Sequence, residues 1–168
     1  MKRSLVLVFF LAGCQVISPR QQAVVQEEPL TNAQIRNARR FVVEYGSSGL
    51  WQWNSTRWVF AEDGRCFGEA TSSREMTNQT TVSKKTFELP SQIFHEAQQT
   101  LLQSDILSLK QGLQDFVFEF SGSISVECDG RKHSISFGTP YQRCQALIEF
   151  LNSLPDRAKV TSSSANGP

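Results

Sequence analysis

Hydrophobic residues recur at every second position through much of the chain, which predicts strands with one buried face. Other segments are too short to alternate but are rich in β-branched and aromatic residues. The segments of either kind are 41–45, 57–61, 66–67, 80–87, 116–120, 124–128 and 135–137. Asp129-Gly130 is a tight-turn dipeptide and makes a hairpin of the last two. The Gly-rich segment 46–49 and the polar segment 71–78 interrupt the pattern and predict loops.

Helical spacing takes over in two other segments. Pro90 fits the first turn of a helix that ends near Ser104, and Thr139-Pro140 fits the start of a second helix closed by Pro155. The hydrophobic faces comprise Ile93, Phe94, Ala97, Leu101 and Leu102 in the first, and Tyr141, Cys144, Leu147, Ile148 and Leu151 in the second. The economical packing is an α+β domain, with an antiparallel sheet of about five to seven strands and two amphipathic helices on one face.

The N-terminus carries a different pattern. Lys2 and Arg3 precede an apolar run from Leu5 to Leu11, and small residues then lead to Cys14. The run is shorter than the roughly 20 residues that a spanning helix needs, and it has the length of a secretory signal's hydrophobic region. The alternative is a buried strand that begins a cytosolic domain. The basic start and the small residues argue against that alternative.

Leu11-Ala12-Gly13-Cys14 resembles the lipobox of bacterial lipoproteins. The resemblance implies that Cys14 receives a diacylglyceryl group, that the signal is cut just before it, and that the freed amine is often acylated. The partner implied is a membrane, reached through a lipid anchor. Gln15 stands where an Asp is associated with inner-membrane retention. The resemblance therefore implies an outer-membrane lipoprotein of the bacterial envelope that faces the periplasm.

Composition divides the chain into four parts. Residues 1–13 are the expected signal peptide, and residues 14–31 are the anchor and a flexible tether, because this stretch is polar and contains two prolines. Residues 32–154 hold a single α+β domain. Residues 155–168, rich in Ser, Ala, Asn and Gly, predict a disordered tail.

Net charge excludes one class of partner. The chain has 17 Lys and Arg against 16 Asp and Glu, a net charge of +1. Loss of the leader removes Lys2 and Arg3 and no acid, which leaves 15 basic against 16 acidic side chains. A net charge of −1 attracts neither nucleic acid nor an anionic membrane surface, so no nucleic-acid partner is expected.

Three cysteines remain besides Cys14, an odd number for an oxidising compartment. One disulfide and one free thiol are expected. Cys128 and Cys144 are the favoured pair, because they lie sixteen residues apart with a hairpin between them. The alternative is three buried thiols that pack as small hydrophobic residues.

No catalytic or cofactor motif emerges. His95 and His133 are the only histidines, and neither has the short ligand pair that a zinc site usually shows. The chain also lacks a nucleophile-elbow serine motif, a P-loop and a dinucleotide-binding glycine pattern. We therefore predict no metal, no cofactor and no catalytic residues, and a protein that is not an enzyme.

Trp51 and Trp53 alternate beside the Gly-rich segment, so their side chains share one side of any local strand. They are candidates for an exposed patch that anchors a protein partner. The alternative is a core position under a loop, which is favoured because large aromatic residues mostly bury.

The layout of the body resembles emfourin-like inhibitors of bacterial metalloproteases. The matching features are a Gly-rich early turn at Gly46–Gly49, a central helix within Leu89–Leu107, and the late Asp129-Gly130 hairpin. No functional residue is carried over from that family. The sequence thus predicts an anchored envelope lipoprotein whose domain is a protein-binding or structural module. The alternatives are a protease inhibitor or an enzyme with an unrecognised site.

Overall fold

A computed structural model describes residues 29–49, 52–76, 79–114, 121–138 and 142–166. The described part has an α+β fold, as predicted. Its helices are α1 (Asn32–Asn37), α2 (Ile93–Gln103) and α3 (Gln145–Arg157), with 3₁₀ turns at Ile106–Ser108 and Gln142–Cys144. Its strands are β1 (Arg40–Gly49), β2 (Gln52–Ala61), β3 (Phe67–Met76), β4 (Gln79–Glu88), β5 (Gly112–Gln114), β6 (Ser121–Cys128), β7 (Arg131–Gly138) and β8 (Lys159–Asn166).

The described strands form one sheet in the order β5-β7-β6-β1-β2-β3-β4-β8. Seven of them pair antiparallel, and the three-residue β5 joins the edge of β7 in parallel. The hairpin at Asp129-Gly130 is confirmed, and both residues adopt the positive φ angles that such a turn requires. The expected count of five to seven strands matches the antiparallel part.

One face of the sheet packs against the helices. Cross-strand register places the large strand residues of the core on this face, and α2 and α3 contribute to the same cluster. Phe41 stacks on Phe60 with ring centroids 5.1 Å apart, and Phe94 of α2 lies 5.7 Å from Phe41. We call this face the helix face and the other the open face, because none of the described helices packs on the latter.

Side-chain hydrogen bonds hold the short helix α1 in place at its start and near its end. Thr31 and Gln34 form a capping box at its start, in which the Thr31 amide donates to Gln34 Oε1 at 2.9 Å. Gln98 of α2 donates from Nε2 to the carbonyl oxygen of Ile35 at 2.9 Å. These contacts hold the segment that leads into β1 against the helix layer.

Two glycines of the sheet make room for aromatic rings. The Trp58 ring lies over Gly68, its partner across β2 and β3, and the Phe137 ring lies over Gly122 across β7 and β6. A Cβ atom at either glycine would overlap the ring. Both rings are buried, which shows that the glycines serve core packing here rather than a turn.

The sheet is longer than its helix layer. Strands β1 to β4 have 10 residues each, about 33 Å, whereas α2 has 11 residues and measures about 16 Å. The helices cover the half of the sheet that contains Phe41 to Tyr45, and we call it the covered half. The remainder of β1 to β4, the polar half, consists of residues 46–49, 52–55, 71–76 and 79–85.

The polar half corrects two sequence-based expectations. Residues 46–49, predicted as a turn, continue β1, and most of the loop predicted at 71–78 belongs to β3. Both stretches have hydrogen-bonding neighbours on both sides, so the strands continue without a buried hydrophobic side chain. Ser72 and Ser83 also join β3 to β4 through an Oγ–Oγ hydrogen bond of 2.7 Å. The Gly-rich early turn of the emfourin-like layout is therefore not found at Gly46–Gly49.

The C-terminal region also differs from expectation. Helix α3 continues through Pro155 and ends at Arg157, and residues 159–166 form β8 beside β4 instead of a disordered tail. Ser and Thr side chains suit an edge strand that is exposed on both faces, which hides it from a search for alternation. The strand predicted at 116–120 lies outside the described residues.

Candidate functional site

Among the described residues, the open face carries one large exposed aromatic side chain. Trp53 lies near the end of the polar half, opposite Ser48 on β1 and Ser73 on β3, and 43% of it is exposed. The small residues of the neighbouring strands complete this part of the open face. We call the set the Trp53 surface, and its residues are Gly46, Ser48, Trp53, Ser55, Ser121, Ser123 and Ser136.

The Trp53 surface contains a shallow hollow of about 410 Å³. It exists because the residues that β1, β6 and β7 contribute to it are all Gly or Ser. A Cβ atom at Gly46 would lie 3.1 Å from Ser123 Oγ, so even an alanine there would crowd its wall. A hydrogen bond between the hydroxyl groups of Ser48 and Ser121 joins β1 to β6 beside Trp53.

None of the described residues that line this hollow has a charged side chain. Hydroxyl groups, backbone carbonyl groups and the indole of Trp53 are the chemistry that the described residues give it, so it offers hydrogen bonds and an aromatic plane.

Trp53 corrects the favoured expectation of a core position. The buried tryptophan is Trp58, which is 1% exposed and packs against Phe87 at a centroid distance of 5.7 Å. Trp53 and Trp58 are five positions apart and point to opposite faces of β2. Trp51 lies outside the described residues.

The middle of the open face holds a charged network that the sequence analysis missed. Glu44 lies 3.4 Å from Arg57 Nε, and it accepts hydrogen bonds from Lys132 Nζ at 3.2 Å and from Ser125 Oγ at 3.1 Å. Partial burial raises the pKa of Glu44, but these hydrogen bonds and charges outweigh it and hold the pKa below its usual value. The network ties four strands together and keeps Glu44 ionised.

A second hollow, of about 420 Å³, lies on the open face at the end of the sheet opposite to Trp53. Arg39, Arg40 and Arg65 surround it together with Asp63, and Val59, Ala61 and Phe67 supply its apolar wall. We call it the arginine hollow. Arg65 donates from Nε to Asp63 Oδ2 at 2.8 Å, which lowers the pKa of Asp63. Asp63 and the three arginines were not predicted as a site from the sequence, where Arg39 and Arg40 precede Asp63 by more than 20 positions.

The expected Cys128–Cys144 disulfide is absent, and the alternative of three buried thiols is the one that the structure has. Cys128 lies at the end of β6, with its Sγ 4.0 Å from the carbonyl oxygen of Gln34. The Sγ of Cys144 lies 3.9 Å from the carbonyl oxygen of Ser104. Strand β7 explains the separation, because its eight residues carry the chain about 26 Å away from the Asp129-Gly130 turn before Cys144 is reached.

The two histidines lie in unlike places. His95 is exposed on α2 beside Phe94, and His133 is buried on the helix face of β7. Burial lowers the pKa of His133, although a hydrogen bond with the backbone of Ile106 offsets part of the effect. Nε2 of this ring has no partner among the described residues. Within those residues, no group of three His, Cys, Asp or Glu side chains could hold a metal ion.

No protein-family model and no curated protein matches the chain. Cys14 lies outside the described residues, so its lipidation stays a prediction. No helix in the described part of the chain is long and apolar enough to cross a membrane. Any functional assignment therefore depends on the leader and on the two hollows of the open face.

Proposed function

We propose that the protein is a lipid-anchored lipoprotein of the bacterial envelope, with Cys14 as the acylated residue, and that its domain is a non-catalytic module that binds a protein partner in the periplasm. The observation that carries the binding role is the exposed Trp53 in a neutral surface of small residues on the open face. The lipobox carries the anchor and the location.

Composition favours a protein as the occupant of the Trp53 surface. Tryptophan dominates the energy of many protein interfaces, and Ser, Gly and Asn around an aromatic anchor are typical of antibody paratopes. The hydroxyl groups hydrogen-bond to whatever backbone a partner presents, and the indole supplies rigid apolar area. Since none of the described residues that line the hollow is titratable, binding rather than catalysis is the function that the surface supports best.

The test is a crosslinked pull-down of the native, lipidated protein from its own membranes, followed by reconstitution with each recovered protein. We expect one partner to bind stoichiometrically and saturably. Trp53→Ala should weaken this complex by at least about thirtyfold, the effect of removing a hot-spot tryptophan.

The matched control is Val160→Ala, since Val160 is an exposed hydrophobic residue of β8, 53% accessible. It should leave the affinity unchanged. Binding that survives Trp53→Ala, or that falls equally in both variants, would contradict the assignment of the Trp53 surface.

The anchor has its own test. Cys14→Ser removes the thiol that accepts the lipid, so the variant should leave the membrane fraction while retaining its affinity for the partner in solution. A variant that fractionates with membranes as the wild type does would disprove lipidation at Cys14.

A further inference from the structure

We propose that the arginine hollow binds the phosphate headgroup of an anionic phospholipid in the membrane that holds the anchor. This inference depends on the lipid anchor of the proposed function, and it adds a second contact that orients the domain. The Trp53 surface then faces away from the bilayer.

The geometry of the arginine hollow suits a phosphate group. Arg39 and Arg40 stand where the chain enters β1, and the turn at Asp63-Gly64 brings Arg65 to the same hollow. The side chains of Arg39 and Arg65 are 93% and 85% exposed, so a flat lipid surface can reach them. A guanidinium group binds phosphate oxygens in pairs, which makes arginine the residue suited to this ligand.

The nearby carboxylates leave the arginines available. Arg39 and Glu62 form an exposed pair at 4.0 Å, a distance and setting at which a salt bridge contributes little. Asp63 engages Arg65 and orients its guanidinium. The side chain of Arg40 has no hydrogen bond or ion pair with another described residue, although its charge helps to lower the pKa of Asp63. Glu62 and Asp63 are thus each paired with one arginine, and Arg40 also borders a neighbouring hollow that contains Glu127 and Asp129, with an ion pair to neither.

The position of the hollow along the chain argues for a membrane as its occupant. Pro29 follows Cys14 by 15 residues, which span at most about 50 Å. The described chain begins at this position and passes through α1 directly into Arg39 and Arg40. The end of the sheet nearest the anchor in sequence is thus the end that carries the arginines.

Tethering lets a weak contact suffice. A reach of 50 Å permits many orientations, so the anchor alone does not fix one, but it holds the hollow at an effective concentration in the millimolar range near the lipid headgroups. Trp53 precedes Ala61 by eight residues of β2, about 26 Å. Headgroup binding at the arginine hollow therefore presents the Trp53 surface to the periplasm.

The experiment uses the chain from residue 14 with Cys14→Ser, so that no acyl chain contributes. Its binding to vesicles of phosphatidylcholine, with and without phosphatidylglycerol, is measured by co-sedimentation at low salt. We expect binding only to the anionic vesicles. The triple variant Arg39→Ala, Arg40→Ala, Arg65→Ala should weaken it about a hundredfold, near fivefold for each arginine.

A matched variant removes the same charge from the polar half. Arg74→Ala, Lys84→Ala, Lys85→Ala should bind the anionic vesicles within about twofold of the parent chain. Equal losses in both triple variants would show a general charge effect and overturn the proposal, as would an unchanged affinity after loss of the three hollow arginines. Because the assayed chain lacks Cys14 and therefore the covalent acyl anchor, the outcome is independent of the fractionation test of Cys14.

Discussion

The two halves of β2 belong to one continuous strand and obey different rules. In the covered half, Trp58 and Phe60 are fully buried between the sheet and the helices, whereas Trp53 in the polar half is the most exposed aromatic residue of the strand. Both halves keep the same backbone pairing with β1 and β3. The difference teaches that backbone hydrogen bonds continue a strand even where no hydrophobic side chain is buried, as in the polar half, whereas Trp58 and Phe60 are buried where the helices cover the sheet.

The largest test of this comparison replaces one aromatic residue in each half. Phe60→Ala leaves a cavity beneath α2, so it should lower the free energy of unfolding by about 3–5 kcal/mol. Trp53→Ala removes an exposed side chain and should change it by no more than about 0.5 kcal/mol. Urea unfolding of both variants measures the contrast. Comparable losses would mean that the polar half is also a core.

A smaller contrast uses one glycine from each half. Gly68→Ala places a methyl group inside the Trp58 ring, and the resulting strain should cost about 1–3 kcal/mol in the free energy of unfolding. Gly46→Ala meets only the rotatable Ser123 hydroxyl, at 3.1 Å, and should cost less. Thermal unfolding of the pair ranks the two positions. A more damaging Gly46→Ala would reverse the comparison.

The smallest effect concerns the pH dependence of the covered half. Burial lowers the pKa of His133 in the folded state, so the unfolded chain takes up a proton first as the pH falls below about 6.5. Stability is fully present above that pH and is lost as the pH falls towards the folded pKa, by at most about 1.4 kcal/mol per pH unit. The free energy of unfolding between pH 7 and 5 is the measurement.

His133→Gln should flatten this dependence, whereas His95→Gln, at the exposed histidine, should leave it in place. The substitution at residue 133 also perturbs packing, so the slope with pH and not the absolute stability is compared. An unaltered slope in His133→Gln would assign the pH dependence to other groups.

The covered half was predictable because hydrophobic residues face the helices at every second position, although Val42 and Val59 are also buried on the open face. Alternation identified residues 41–45 and 124–128, and the spacing of Ile93, Phe94 and Ala97 identified α2. Sequence alone did not predict strand β8 or the parts of β1 and β3 that lie in the polar half. Strands with no buried hydrophobic face show no hydrophobic period. Their presence follows from neighbours in the sheet, which local sequence does not reveal.

The candidate sites were predictable only in part. Spacing drew attention to Trp53, but alternation gives the side of a strand and not whether anything covers that side. Arg40 and Arg65 are 25 positions apart, and they meet because Arg40 pairs with Ala61 across β1 and β2. Register of this kind becomes visible only when both strands are placed.

The three buried thiols have a practical consequence for chemical modification. Burial raises the pKa of all three thiols. The pKa reaches about 11 at Cys128, where the charge of Asp129 adds to the effect, and about 11 at Cys144. The reactive form of a cysteine is the thiolate, and at neutral pH only about one in ten thousand molecules carries it at Cys128 or Cys144. A single cysteine introduced at the surface of the Cys14→Ser chain should therefore take up a maleimide dye or a nitroxide alone, with every native cysteine of the domain left in place.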